Sequence, residues 1–291
     1  MTNTDPHDIR VTLGQIRRLA DLGCEIIRVA VPDREAAARL PSILRDSPIP
    51  VIADIHFDYK LALTCLDTAI AKIRINPGNV GAAWKVREVL KKASDRGKPI
   101  RVGINSGSLP RKLRGEADRG AAMMRAAEEE INLLEQQNFT QAVFSLKSSD
   151  LEEMVAANVQ FSEAHAYPLH IGMTEAGPLV QGIVRNSIGI SRLLRMGIGD
   201  TIRVSLSDSP ANEIITGKAI LSAENRGEEG PQIISCPTCG RKTFDVEGFL
   251  KSIEEDLRKM KKHVTVAVMG CEVNGPGEAK HADLGITGAG N

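Results

Sequence analysis

PIRVGIN, residues 99–105, sets apolar residues around one arginine and one glycine and ends on a turn-forming asparagine. A run so short, β-branched and bounded by a turn reads as a strand. Its arginine recurs in EIIRVAV (25–31), AKIRIN (71–76) and DTIRVSL (200–206), and three more runs complete the series: IPVIADI (49–55), QAVFSLK (141–147) and PLHIGM (168–173). Between them lie stretches with helical spacing, such as 12–22, 61–69, 82–93, 121–136 and 188–196. Strand and helix in regular alternation predict a parallel sheet with helices outside it, and the shortness of the apolar runs suits strands buried on both faces. Seven strands are legible, the chain opens on a helical pattern, and a closed barrel of this kind has eight. The expected fold is therefore α/β, a (β/α)8 TIM-type barrel whose first strand is missing from this sequence, with MTNTD (1–5) as the loop that leaves it.

Composition changes at SAENRGEEGPQ (222–232), a polar, glycine-containing stretch that suits a linker. The predicted organisation is a barrel over residues 1–224 and a small α+β domain over 230–291. The latter has a strand ending at Ser235, a charged helix across 245–260, the strand VTVAVMG (264–270) and a glycine-rich tail. At that size a hydrophobic core alone is marginal, and a metal staple would help.

The 37 basic and 37 acidic residues balance, so no net field gathers nucleic acid or an anionic membrane. Aromatic residues, at 3%, are too few for a base-stacking platform. There is neither a long apolar run nor a signal-peptide pattern, so the reading is of a soluble, cytoplasmic chain that binds neither nucleic acid nor membrane. Five cysteines in 291 residues make no disulfide framework.

Arg28, Arg74, Arg101 and Arg203 occupy similar places in their runs, and alternation turns all four toward the barrel mouth. Asp54, His56, Asn76, Asn105, Ser106, Lys147, His170, Glu175, Ser205 and Ser207 also fall at or just past strand C-termini, the face that carries active sites in such barrels. Five converging cations call for an anion, and guanidinium forks match phosphate oxygens, so a phosphate or diphosphate ester is the expected ligand. The competing expectation is that some of these arginines pair with Asp54, Asp200 or Glu175. His56 and His170 read equally as ligands, acids or structural residues, and Glu175 as a proton donor if its surroundings permit. Cys24 and Cys65 read as small core residues. No Walker-type loop is present.

Cys236 and Cys239 stand in CPTCGR (236–241), and Cys271 follows the next strand. In NGPGEA (274–279), Gly275 and Gly277 permit a positive-φ turn around Pro276 that would return Glu278 toward the thiolates. Three thiolates and a carboxylate suit an iron–sulfur cluster with one loosely held iron. A structural zinc completed by His263 or His281, and a dithiol redox pair, are the alternatives.

RVAVPD, ADIHFDY, IRINPGN, GINSGSL, SLKSSD, GMTEAG, GIGDTIRVSLS, CPTCGR and NGPGEA together, in this order, resemble the 4-hydroxy-3-methylbut-2-enyl diphosphate synthases, the iron–sulfur enzymes of the non-mevalonate isoprenoid pathway. The resemblance is to the short bacterial form, shortened at both ends. It implies an oxidoreductase that opens and dehydrates the ring of 2-C-methyl-D-erythritol 2,4-cyclodiphosphate. The class it displaces is a zinc-stabilised phosphate-ligand binding protein without redox activity. It also implies a [4Fe-4S] cluster on Cys236, Cys239, Cys271 and Glu278, with the diphosphate held by Arg28, Arg74, Arg101, Lys147, Arg203 and Ser205. Glu175, His56 and Asn105 would then be catalytic, Glu175 as the favoured proton donor. Flavodoxin or ferredoxin would donate the electrons, and two chains would form a homodimer.

Overall fold

The computed structural model describes residues 1–227, 230–237, 239–260, 262–273 and 275–288. The chain divides into two compact units, Met1–Ile220 and Leu221–Asn291.

In the first unit β1 (Ile27–Ala30), β2 (Val51–Ile55), β3 (Lys72–Ile75), β4 (Ile100–Asn105) and β5 (Ala142–Lys147) pair in sequence order, all parallel. β6 (His170–Ile171) and β7 (Thr201–Ile202) form a second parallel pair, joined to β5 by a bridge between Phe144 and Leu169. The helices are α1 (Ile9–Asp21), α2 (Arg34–Asp46), α3 (Tyr59–Leu66), the single turn α4 (Pro77–Val80), α5 (Ala83–Asp95), α6 (Arg119–Gln136), α7 (Leu151–Ala164), α8 (Leu179–Arg195) and α9 (Pro210–Ala223). This is the strand-and-helix order of a β/α barrel. The Thr2 N–H donates to the Arg28 carbonyl at 3.0 Å, so the first residues run beside β1.

The strands separate two kinds of side chain. Ile27 and Val29, Ala53 and Ile55, Ile73 and Ile75, Ile100, Val102 and Ile104, and Ala142, Phe144 and Leu146 are all buried on the helix-facing side. The intervening positions carry Arg28, Asp54, Arg74, Arg101, Ser145 and Lys147. Many helices begin on an aspartate whose carboxylate accepts a first-turn N–H: Asp8, Asp33, Asp58, Asp118 and Asp150 cap α1, α2, α3, α6 and α7. Each of these helices is thereby fixed in its start, and with it the loop at the strand's C-terminal end.

Two expected strands shrink. The runs at 168–173 and 200–206 keep only two strand residues each; past Arg203 the backbone of Ser205 and Leu206 bonds to helix side chains and not to a strand. Cys24 and Cys65 are core residues, 8% and 0% exposed, and burial pushes the Cys65 thiol up to about 12.

The second unit is a three-stranded parallel sheet, ordered β10 (Leu284–Thr287), β9 (Thr265–Met269), β8 (Gln232–Ser235), with α10 (Val246–Lys259) and the short α11 (Gly275–Ala279). Its buried centre is Val246, Val266 and Val268, ringed by Cys236, Phe244, Phe249, Leu250, Leu257 and Val264. The glycine-rich tail is thus more ordered than its composition suggests, since Leu284–Thr287 adds an edge strand. Gly275–Ala279 is a helical turn, where a positive-φ turn was expected, because successive helical residues satisfy one another's backbone groups without a left-handed residue.

Candidate functional site

Register explains how the charged residues meet. Asp54 on β2 is the pairing partner of Arg74 on β3, and Arg74 that of Arg101 on β4. Register partners on parallel strands project to the same face, so the three side chains form a row. Asp54, 1% exposed, accepts from Arg74 Nη1 at 3.2 Å and from His56 Nε2 at 3.1 Å, and lies 3.5 Å from Arg28 Nε. Further along, Lys147 is the register partner of Asn105, and Gly103 that of Ser145. A Cβ on Gly103 would stand 2.6 Å from Arg74 Nε, so the glycine leaves the space that the guanidinium fills.

Positive charge exceeds negative here. Arg28 and Arg74 share Asp54, and Arg203 Nη2 meets Glu213 Oε1 at 3.2 Å. Arg101 and Lys147, 5% and 7% exposed, have no carboxylate partner among the described residues. Among the described residues, three guanidinium Nε–H groups, on Arg74, Arg101 and Arg203, are buried without any hydrogen-bond acceptor. A buried donor left unmatched costs on the order of 1–3 kcal/mol, more when charged. The expected pairing with a carboxylate therefore holds for Asp54 with two of the arginines; Asp200 instead accepts the Leu169 N–H at 2.7 Å.

Electrostatics records the same excess. Burial first, then the charges of Arg28 and Arg74, hold the Arg101 guanidinium well below its ordinary range. Lys147 is pushed down likewise by burial, then by Arg203 and Arg101, and His170 by burial, then by Lys147 and Arg101. Arg28 falls to about 10, burial outweighing the support of Asp54. At Asp54, burial would raise the carboxyl, but the His56 hydrogen bond and the charges of Arg28 and Arg74 win and hold it below the usual range.

That last sign makes a prediction. A carboxyl depressed in the folded state contributes stability that is complete above the ordinary aspartate pKa of ~3.9 and is lost as pH falls toward the depressed value. Asp54→Asn should flatten the acid limb of the stability curve below about pH 4, read by acid unfolding. A limb identical to that of the unsubstituted chain would refute Asp54 as the hub of the row.

The remaining predicted residues lie at the ends of the same strands or in the loops that follow them. His56, with its side chain 46% exposed, stands at the rim, tied to Asp54. Asn105 is half-buried at the end of β4. Glu175 is exposed and holds φ +52°, a left-handed conformation that a non-glycine residue adopts at a cost. Its loop is pinned on both sides: the Thr174 N–H donates to the Ser148 carbonyl at 3.2 Å and the Ser207 N–H to the Gly177 carbonyl at 3.0 Å. The loop that carries Glu175 is thus tied to the segments that follow Lys147 and Ser205. Ser205 is 9% exposed. Glu213 and Asn186 were not legible as site residues, since a Glu or Asn within a helical pattern carries no sign of facing a strand end.

In the second unit Cys236 follows β8 and Cys271 follows β9, both leaving the same end of the parallel sheet. The Gly270 N–H donates to Cys236 Sγ at 3.1 Å, which brings that sulfur against the residue before Cys271. Cys239 and Glu278 are exposed, and no disulfide joins any of the five cysteines. Among the described residues no three Cys, His, Asp or Glu side chains form a ready metal cage. Cys236 and Cys271 at one sheet end, with an amide already directed at a sulfur, are placed as two ligands of a thiolate-held cluster would be. Thr238 and Asn274, in the two loops concerned, lie outside the described residues.

Residues 1–218 match the family described as the GcpE TIM-barrel domain, and residues 232–291 that described as the GcpE protein C-terminal domain. Curated relatives named 4-hydroxy-3-methylbut-2-en-1-yl diphosphate synthase (flavodoxin) include one from Thermodesulfovibrio yellowstonii, 52% identical over 99% of this chain and 83% of the relative. Those from Treponema denticola and Geobacter sulfurreducens are 47% and 49% identical, covering 97% and 99% of this chain and 79% and 82% of theirs. Among solved structures, Yersinia pestis dihydropteroate synthase aligns with TM-score 0.51 at 12% identity, over 75% of this chain and 89% of that one. The wild-type Plasmodium falciparum HPPK-DHPS aligns at 0.54 and 12%, over 77% and 45%. Those two likenesses concern the fold alone.

Proposed function

Because this chain belongs to the GcpE family, we propose that it catalyses the two-electron reductive ring opening of 2-C-methyl-D-erythritol 2,4-cyclodiphosphate, with loss of water, to 4-hydroxy-3-methylbut-2-enyl diphosphate. The observation that carries this reading is the buried row of cations with three guanidinium Nε–H groups lacking acceptors.

The residues of the mouth divide the work. Arg74, Arg101 and Arg203 offer unmatched donors to the diphosphate oxygens, Lys147 adds a point charge, and Arg28 and Ser205 complete the grip. Asp54 and Glu213 hold three of the arginines in place beforehand, so little reorganisation is needed when the ligand arrives. Opening the ring frees a diphosphate oxygen and increases negative charge where these donors point, so they bind the developing product more strongly than the ring. Loss of water needs a proton on the departing oxygen, and Glu175, held on a loop pinned at both ends, supplies it. Asn105 and His56 orient the carbon skeleton.

Cys236, Cys239, Cys271 and Glu278 would hold a [4Fe-4S] cluster, which when bound supplies electrons one at a time. Unit 1 then binds substrate and unit 2 carries the cluster, in a homodimer that takes its electrons from flavodoxin, the protein named alongside the relatives' activity. No helix among the described residues is long and apolar enough to cross a membrane.

The test is anaerobic purification followed by iron, sulfide and zinc analysis and a reductive turnover assay. About four irons and four sulfides with turnover are expected; one zinc, no colour and no turnover would overturn the reading. Glu278→Ala should lower iron retention by at least the ~10–100-fold that even outer-shell changes cause at metal sites. Unchanged iron content and turnover in that variant would remove Glu278 from the ligand set.

A further inference from the structure

Residues 203–206 follow the two residues of β7 and belong to no strand, yet their backbone is fixed group by group. The Arg203 N–H donates to the Ile171 carbonyl at 3.0 Å. The Ser205 N–H donates to Asn186 Oδ1 at 3.3 Å, and the Ser205 carbonyl accepts from Asn186 Nδ2 at 3.1 Å. The Leu206 N–H donates to Glu213 Oε1 at 3.1 Å, the same oxygen that accepts from Arg203 Nη2.

At Ser205 and Leu206, therefore, two helix side chains take the place of a neighbouring strand. The carboxamide of Asn186, on α8, meets both backbone groups of one residue as a strand edge would. A third hydrogen bond, from Nδ2 to the Gly182 carbonyl at 2.8 Å, fixes the orientation of the amide. Asn186 is 0% and Glu213 9% exposed, and burying such groups is unfavourable unless they are matched. Here each is matched to the one segment that carries two of the phosphate-facing residues. Gly182 lets α8 approach this closely, since a Cβ there would stand 2.6 Å from Leu206 Cδ2 and 3.0 Å from the Gly177 carbonyl oxygen.

We propose that Asn186 and Glu213 are positioning residues, which present the Arg203 guanidinium and the Ser205 hydroxyl together to one phosphate group of the ligand. The inference rests on the diphosphate reading of the mouth. Glu213 takes one Nη of Arg203 and leaves its buried Nε without an acceptor, so the guanidinium is anchored and still has a donor to give. Asn186 fixes the backbone from which the Ser205 hydroxyl projects. Loops after the last strands of β/α barrels often form phosphate sites, and this segment follows the last barrel strand of the chain.

The experiment measures inorganic diphosphate binding by calorimetry, together with KM and kcat for the cyclic diphosphate. It uses the full chain with its cluster loaded and compares Asn186→Ala, Glu213→Ala, Glu213→Gln and Arg101→Ala. Asn186→Ala and Glu213→Ala should each weaken diphosphate binding and raise KM by about tenfold, the scale of one or two lost hydrogen bonds. kcat and iron content should change far less than KM, while the thermal midpoint falls, since buried backbone groups lose their partners. Glu213→Gln should recover part of the loss, since its amide oxygen still accepts from Leu206 while the charge pairing with Arg203 is gone. If Asn186→Ala does not fold, the two Glu213 variants decide. Normal binding and KM in folded Glu213→Ala, with Arg101→Ala impaired, would overturn the positioning role and leave the diphosphate reading standing. Failure of the unsubstituted chain to bind diphosphate would overturn both.

Discussion

Arg101→Ala is expected to weaken binding of the cyclic diphosphate by about a hundredfold, and in the same protein to raise the thermal midpoint of the ligand-free chain. The two effects share one cause. Arg101 is buried beside Arg28 and Arg74, its Nε has no acceptor, and no carboxylate is paired with it among the described residues. Without a bound anion it adds repulsion and an unmatched donor, both unfavourable to folding. With a diphosphate present it becomes a desolvated, charge-assisted donor, a contact whose loss costs about 2–5 kcal/mol, and about 1.4 kcal/mol is a factor of ten. A residue that was only structural would show the opposite pattern, lower stability with unchanged affinity. Calorimetry with the substrate and thermal unfolding of the ligand-free protein separate the two; normal affinity would sink the phosphate-mouth reading.

Gly172→Ala should be the most damaging single methyl group in the barrel. Gly172 holds φ +144°, and a Cβ there would lie 2.1 Å from the Arg203 carbonyl oxygen, a backbone atom that cannot step aside. The conformation alone costs about 1–3 kcal/mol for a residue with a side chain, and the overlap adds a similar amount. The sum of roughly 4 kcal/mol corresponds to a fall of about 8–16 °C in the thermal midpoint. The displaced segment is the one that presents Arg203 and Ser205, so diphosphate affinity should fall with stability. Gly14→Ala provides the contrast. Gly14 sits on the exposed side of α1 with nothing within 4 Å of a built Cβ, and alanine there should stabilise by up to about 1 kcal/mol. Equal midpoints for the two variants would refute the close approach at Gly172.

Local chemistry made much of this molecule legible. The seven barrel strands announce themselves as short apolar runs, because period-two burial is written into consecutive residues. The recurring arginines could be assigned to a common face for the same reason, and CPTCGR and NGPGEA marked the second unit as a cysteine-bearing appendage. The motifs in their order fixed the family, which the matches over residues 1–218 and 232–291 then showed. Local pattern failed where a segment's partners are remote. The last two barrel strands shorten to two residues each, and the glycine-rich tail gains Leu284–Thr287 as a strand, because pairing depends on what lies alongside and not on the run itself.

The sequence by itself determined the alternating architecture and the excess of cations at strand ends, since each follows from residue type and spacing. Only the tertiary structure decided which charges are matched. Asp54 serves Arg28 and Arg74, Glu213 serves Arg203, and among the described residues Arg101 and Lys147 are left without a carboxylate. Arg74 and Arg101 are 27 positions apart in the chain yet adjacent in register (101 minus 74). Electrostatic pairing acts through a few ångströms of space, and a spacing rule cannot say which of several equivalent cations a single buried carboxylate will reach.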